Sequence, residues 1–356
     1  MSTNFLFWAF NVLSLATLII LIQMVRKETP SQVRFLVLFA VVGGAVWYYF
    51  SERSDFHHSV SSARRSHALQ ESGPIELAAV WDKPDGFFRG VELAVDQINQ
   101  EGGVDMKGEL TAKRRSIDLV KYIEDGVVGN GRGVQYEVAR REQTVAVVGH
   151  RDAKTAVPAS LTYENNQLFY LVSSATDPKM TSLGFFNVVR SIPDDRHFST
   201  ALLEYCRSRG MKRIALLYAR DTYGSRFATF FRDSLREQNR RSKLEDDTIA
   251  ITLMRSYSAV EQDFSALVGE LSAVKHDAIF IADIAPRAGV LIKDIRRRGI
   301  EVPILGGEGM ATPQLWNAAD KQARNVVVAS TMPALTDGSL QGNFATFAKS
   351  YSDRYN

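Results

Sequence analysis

At 356 residues, 45% hydrophobic and 23% charged, the chain has the composition of a folded globular protein and length enough for two domains. A net charge of +3, with basic clusters dispersed at Lys113 to Arg115, Arg140 and Arg141, and Arg296 to Arg298, excludes a concentrated nucleic-acid surface; the clusters read as solvated helix ends. The single cysteine, Cys206, excludes an internal disulfide and reads as a small buried apolar group in an amphipathic helix.

Residues 5–25 and 35–50 are uncharged, and a bilayer-spanning helix needs about 20 apolar residues, so both read as membrane spans. Arg26, Lys27 and Arg34 between them outweigh Glu28, which puts that loop in the cytoplasm and everything after Ser51 outside. A rival reading starts the chain at Met24 and makes the same cations the n-region of a signal peptide or signal anchor; it also puts the large domain outside. No A-x-A pattern follows Phe50 and no cysteine there could carry a lipid, which favours a retained anchor. Residues 51–74 form a polar stalk, and His57, His58 and His67 read as exposed linker rather than metal ligands.

From Ile75 strands alternate with helices. Ile75 to Val80 is a strand, Phe88, Val91, Ala94, Val95 and Ile98 lie on one helical face ended by Gly102 and Gly103, and Ser116 to Ile123 is a second strand. The glycine-rich run 126–133 fits neither G-x-G-x-x-G nor a Walker A sequence and reads as a flexible turn. Val145 to Val148 and Leu168 to Val172 are short β-branched or aromatic runs, hence buried parallel strands; the helix between them has Asp152 as N-cap and Pro158 near its first turn. Phe186 to Arg190 is a strand, and 191–195 a connection whose Asp194 and Asp195 cap a helix ended by Gly210. A second series follows: strands at Arg213 to Ala219, Thr248 to Met254, Ala278 to Ala282 and Val302 to Leu305, with helices at 224–239, around Phe264 to Leu271, and at 287–298. Two such series imply an α/β protein of two doubly wound, Rossmann-like lobes with a cleft between them.

The strand ends collect Trp81 and Asp82, His150 to Lys154, Ser173 to Thr176, Asp221 and Tyr223, Asp283, and Glu308. Hydroxyls dominate one lobe, acids and a tyrosine the other. Such a set suits a small zwitterion, with hydroxyls and helix N–H groups on its carboxylate and Glu308 or Asp283 on its ammonium. Helix capping by Ser173 and Thr176, packing of Tyr223 and solvation of Glu308 are the structural alternatives, and His150 reads as a structural loop residue. Neither G-x-S-x-G nor H-E-x-x-H nor a Cys and His arrangement occurs, so the residues give no enzyme, metal or cofactor site.

The segments FRGVELAVDQIN with its GG, VVGH followed by PAS, SSATDP, RIALLY with DTYG, DFSALV and LGGEG occur in an order and spacing that resemble the periplasmic leucine/isoleucine/valine-binding protein family, the substrate-binding components of ABC transporters. The resemblance runs from 75 to about 335. It implies a type I periplasmic binding protein fold, with one lobe at 75–191 to which 333–356 returns and the other at 192–332. It also implies that a C-terminal part of the fold is missing. Motif onto motif, it puts carboxylate binding on the turn Ser173, Ser174 and Thr176, the cleft tyrosine on Tyr223 and the ammonium-binding acid on Glu308. Trp81 falls in the first loop, which is shortened to WDKPDG. Ala153 stands where the family presents a serine hydroxyl and Ile284 where the second lobe usually has an aromatic, so the ligand's identity stays open. The resemblance implies a small polar ligand such as an amino acid, ABC permease subunits as partners, and a ligand-binding domain facing the periplasm from the inner membrane. A sensory receptor domain of the same fold is the alternative function.

Overall fold

The computed structural model describes Ala68 and residues 73–106, 114–124, 133–242, 248–331 and 342–355. The expected spans, the three linker histidines, nearly all of the stalk and nearly all of the glycine-rich run lie outside them. Among the described residues no helix is long and apolar enough to cross a membrane.

The first series opens with β1 (Ile75–Trp81), α1 (Gly86–Gln100), the short antiparallel pair β2 (Val104–Asp105) and β3 (Arg114–Arg115), and β4 (Ile117–Ile123). It continues through α2 (Val134–Arg140), β5 (Thr144–Gly149), α3 (Ala153–Asn165), β6 (Phe169–Val172), α4 (Lys179–Ser182) and β7 (Val188–Arg190). The second comprises α5 (Asp195–Ser208), β8 (Arg213–Ala219), α6 (Thr222–Arg241), β9 (Ala250–Tyr257), α7 (Ser265–Ser272), β10 (Ala278–Ala282) and α8 (Arg287–Arg297). It ends with β11 (Ile304–Gly306), a 3₁₀ turn (Glu308–Met310), α9 (Pro313–Ala318) and β12 (Val326–Val328), and α10 (Gly342–Tyr355) follows.

Two five-stranded parallel sheets result, ordered β4-β1-β5-β6-β7 and β9-β8-β10-β11-β12. In each, the chain's first long strand lies second from an edge, the next strand pairs outside it, and the remaining three run the other way. The winding therefore reverses between β1 and β5 and again between β8 and β10, and in open α/β sheets such switch points are where strand ends can hold ligands. The chain passes from the first sheet to the second between β7 and α5. After β12 it comes back to the first, where α10 packs on α1 with Arg354 paired to Asp96 at 2.6 Å.

Burial on both faces explains why the central strands carry no alternating polar residues. In β10 every residue is buried: Ala278, Phe280 and Ala282 face a core with Phe198, Phe227 and Phe231, while Ile279 and Ile281 face one built by Leu291, Ile292 and Ile295. The Phe231 and Phe280 rings stack at 3.9 Å. Around the first sheet Val80, Val147, Tyr163 and Tyr170 anchor the corresponding core.

Three local expectations are corrected. Pro158 lies inside α3 beyond its first turn. Asp194 alone caps α5, accepting from the amides of Arg196 and His197, while the Asp195 carboxylate turns away. Arg296 is buried rather than solvated, because its guanidinium donates to the carbonyls of Ile300 and Arg324 and so ties the end of α8 to the approach to β12.

Cys206 is fully buried, and that burial pushes its thiol up to about 12 from an ordinary 9.0. The thiolate fraction at neutral pH then falls on the order of a thousandfold. A maleimide should label Cys206 only as the chain unfolds, giving a labelling rate in native buffer that rises with urea. Glu76, buried in β1, accepts two hydrogen bonds from Arg141 at 2.7 and 2.5 Å and one from Thr144. Burial would raise its carboxyl, but these bonds outweigh it and hold the group below its ordinary 4.5. Its stabilisation is present above that value and is lost as pH falls through the depressed one. Since Arg141 is half exposed, Glu76→Gln should cost only about 1 kcal/mol at neutral pH and should flatten the acid limb of stability below pH 4.5, as read by urea unfolding.

Candidate functional site

At the switch point of the first sheet, β1 ends in Trp81, whose ring stacks on Phe87 at 4.0 Å, and Asp82 pairs with Arg151. Gly149 closes β5 with φ at +123°, and a Cβ there would strike the Val80 carbonyl, so only glycine lets β5 run this close to β1. His150 follows in the left-handed region at φ +47°. Its ring is buried between Glu124, 2.7 Å from Nδ1, and the Tyr163 hydroxyl, 2.8 Å from Nε2. Glu124 also accepts from the Arg151 amide at 3.2 Å. Burial would raise the Glu124 carboxyl, and the bond and charge of His150 hold it below the usual range instead. His150 is thus the structural residue expected; its partner Glu124 escaped the sequence reading because nothing local pairs them across 26 positions. Asp152 occupies the N-cap of α3 without a side-chain bond to the helix, and Ala153 begins that helix.

The turn after β6 is held by its carbonyls. Arg190 takes those of Ala175 and Asp177 at 3.2 and 2.6 Å, and the Asp195 amide takes that of Thr176 at 3.0 Å. The Ser173 hydroxyl is left buried with no hydrogen-bond partner among the described residues, whereas Ser174 is partly exposed and Thr176 is buried. Buried hydroxyls are rarely unpaired, so this one has an acceptor or donor still to gain.

At the switch point of the second sheet Asp221 caps α6 through the Gly224 amide at 2.7 Å, and Tyr223 stands in the helix's first turn. Burial pushes the Tyr223 phenol up. Its ring lies against the loop after β11, where a Cβ on Gly307 would collide with Tyr223 and Phe227, and one on Gly309 with Ile284. Tyr223, Ile284 and Glu308 are thereby drawn together. Glu308 is partly exposed and accepts from the Thr331 amide at 2.9 Å.

Asp283 is different. It is 1% exposed and already accepts from the Tyr257 hydroxyl at 2.7 Å, the Ile284 amide at 2.7 Å and Arg287 Nε at 2.8 Å. Arg287 also donates to Asp221 at 2.6 Å. Of the two acids expected to compete for an ammonium, Asp283 has its charge and lone pairs taken within the protein.

Arg226, one turn beyond Tyr223 on α6, links this group to the turn after β6: its Nε donates to Asp195 at 2.8 Å and its Nη1 lies 3.5 Å from Asp177. Sequence reasoning missed Arg226 and Arg287, since an arginine on an amphipathic helix is ordinarily a surface residue. Among the described residues no cluster of three or more His, Cys, Asp or Glu could hold a metal ion.

Comparisons with known proteins match the sequence and fold of this chain to one family. The family model described as periplasmic binding protein matches residues 84–356. The leucine-specific-binding protein of Salmonella typhimurium is 27% identical over 270 residues, covering 75% of this chain and 66% of the relative. The Leu/Ile/Val-binding protein of Escherichia coli is 26% identical over 245 residues, covering 68% and 62%. The chain thus spans less than two thirds of the length of these curated relatives. Among solved structures, an ABC transporter substrate-binding protein from Desulfitobacterium hafniense in complex with Leu is 26% identical, with a TM-score of 0.62 over 79% of this chain and 77% of that one. With a family model covering well over half of its length, the chain belongs to the periplasmic binding proteins.

Proposed function

We propose that the chain is the extracytoplasmic solute-binding component of an ABC transporter, and that it holds a small zwitterion, an amino acid or close relative, in a cleft between two lobes built on the two sheets. The observation that carries the reading is the unpartnered Ser173 hydroxyl on a turn whose Ala175, Thr176 and Asp177 carbonyls are bonded within the protein, with a partly exposed acid, Glu308, at the strand ends of the second sheet. A carboxylate accepting from Ser173 and the neighbouring amides, and an ammonium donating to Glu308, would satisfy both. Trp81, Ala153, Tyr223 and Ile284 would supply the apolar walls, and the loss of a hydroxyl at Ala153 leaves Ser173, Ser174 and Thr176 to do more of the carboxylate's work. Asp283 would take no part in direct contact.

The leucine bound by the Desulfitobacterium hafniense relative and the leucine, isoleucine and valine named for the enterobacterial ones make leucine the first probe for this chain. The uncharged runs 5–25 and 35–50 support a membrane anchor that would keep the binding domain at the outer face of the inner membrane, beside permease subunits.

In a thermal-shift screen of the full chain, a zwitterionic amino acid at a hundredfold excess over its Kd should stabilise the fold by about 2.7 kcal/mol. Amines and carboxylates lacking the second group should shift it far less. Glu308→Gln should weaken the best ligand by about a hundredfold, measured by calorimetry, with little change in the melting of the unliganded chain. Ser173→Ala separates binding from folding: removing an unpaired hydroxyl should leave unliganded stability unchanged or slightly raised, while affinity falls about tenfold. A screen in which no zwitterion raises the melting temperature, or an unaltered affinity in Glu308→Gln, contradicts the reading.

A further inference from the structure

Arg226 stands where the two sheets meet chemically, and neither the resemblance nor the comparisons give it a role. It sits one turn after Tyr223 on α6, with its side chain 14% exposed and its guanidinium 5.9 Å from the centre of the Tyr223 ring. Its two acidic neighbours bracket the carboxylate turn from opposite sides. Asp177 follows Thr176 directly in the chain, and Asp195, the first residue of α5, donates its amide to the Thr176 carbonyl at 3.0 Å. Asp177 also holds the start of α4 by accepting from the Lys179 amide at 2.9 Å. Both carboxylates are largely buried, so without a cation between them their repulsion and desolvation would push the turn open or force one to take a proton.

We propose that Arg226 is a positioning residue, an ionic clasp through which the second sheet fixes the Ser173 to Thr176 turn of the first in its ligand-binding geometry. The clasp is incomplete in this structure. Arg226 Nη1 and Asp195 Oδ1 are both buried without a hydrogen bond, and the 3.5 Å gap to Asp177 is an ion pair rather than a hydrogen bond. A small approach of α6 to the turn would close that gap. Tyr223 shares α6 with Arg226 and lies against Gly307 and Gly309, so the same movement would carry these residues with it. Asp195 contributes through its neighbours as well as its charge: its carbonyl accepts from the Ser199 hydroxyl at 2.7 Å, which keeps the first turn of α5 rigid while its carboxylate faces Arg226.

This inference rests on the proposed site, but its first test does not need a ligand. Hydrogen exchange of the full chain should show the segment 172–178 exchanging about tenfold faster in Arg226→Gln than in the parent, with β8 and β10 unchanged and Arg226→Lys in between. Unchanged exchange in 172–178, or an increase spread evenly over the second sheet, overturns the clasp. The second test reads binding. Arg226→Gln should raise the Kd for leucine about tenfold in the parent and hardly at all in a Thr176→Val background, because its effect travels through the turn. Equal losses in both backgrounds overturn the positioning role. A parent chain that binds no zwitterion counts against the proposed function alone, and the exchange measurement then decides the clasp.

Discussion

A parallel strand covered on both faces has room for polar side chains only where it ends. That constraint organises this protein. β10 is buried along its whole length, and the first hydrophilic residue after it, Asp283, lies at its carboxyl end; Asp82 follows β1, His150 follows β5, and Ser173 follows β6. Because the strand order reverses between β1 and β5 and between β8 and β10, these strand ends are the switch points at which open α/β sheets generally hold ligands. The polar residues and the switch points thus coincide without any special arrangement of the sequence.

Collecting acids and cations at strand ends carries an electrostatic cost, and the protein meets it with arginines placed on helices. Arg287 serves Asp221 and Asp283 and Arg226 serves Asp177 and Asp195, while Arg151, in the loop before α3, serves Asp82. Each guanidinium presents several donors in a fixed plane, which lets one side chain serve two carboxylates. Neutralisation also divides the acids by availability. Asp283 is saturated by Arg287 and Tyr257, while Glu308 keeps solvent contact and one firm internal donor, the Thr331 amide. Such a division leaves Glu308 more accessible than Asp283.

The alternation of strands and helices was legible from the sequence because buried strands are short apolar runs and helices show a 3.6-residue period; Arg213–Ala219 and Ala278–Ala282 match their expected bounds. Turn chemistry was legible where it is local, as at Asp194 and Gly210. Strand order was not, since the pairing of β1 with both β4 and β5 depends on contacts far apart in the chain. Of the candidate site, the positions at strand ends could be named, but not which acids are free. The pairing of Asp283 with Arg287 is four residues long and could have been suspected; that of Arg226 with Asp177 and Asp195, or Glu124 with His150, spans different elements and leaves no local pattern.

On the proposed function, a zwitterion lies between the turn after β6 and the loop after β11. A crystal structure of the chain soaked with leucine tests it most directly. Ligand density is expected with its carboxylate about 3 Å from Ser173 Oγ and its ammonium at a similar distance from the Glu308 carboxylate, with Asp283 still bound to Arg287. Density at another place, or an ammonium seated on Asp283 with Arg287 displaced, would contradict it.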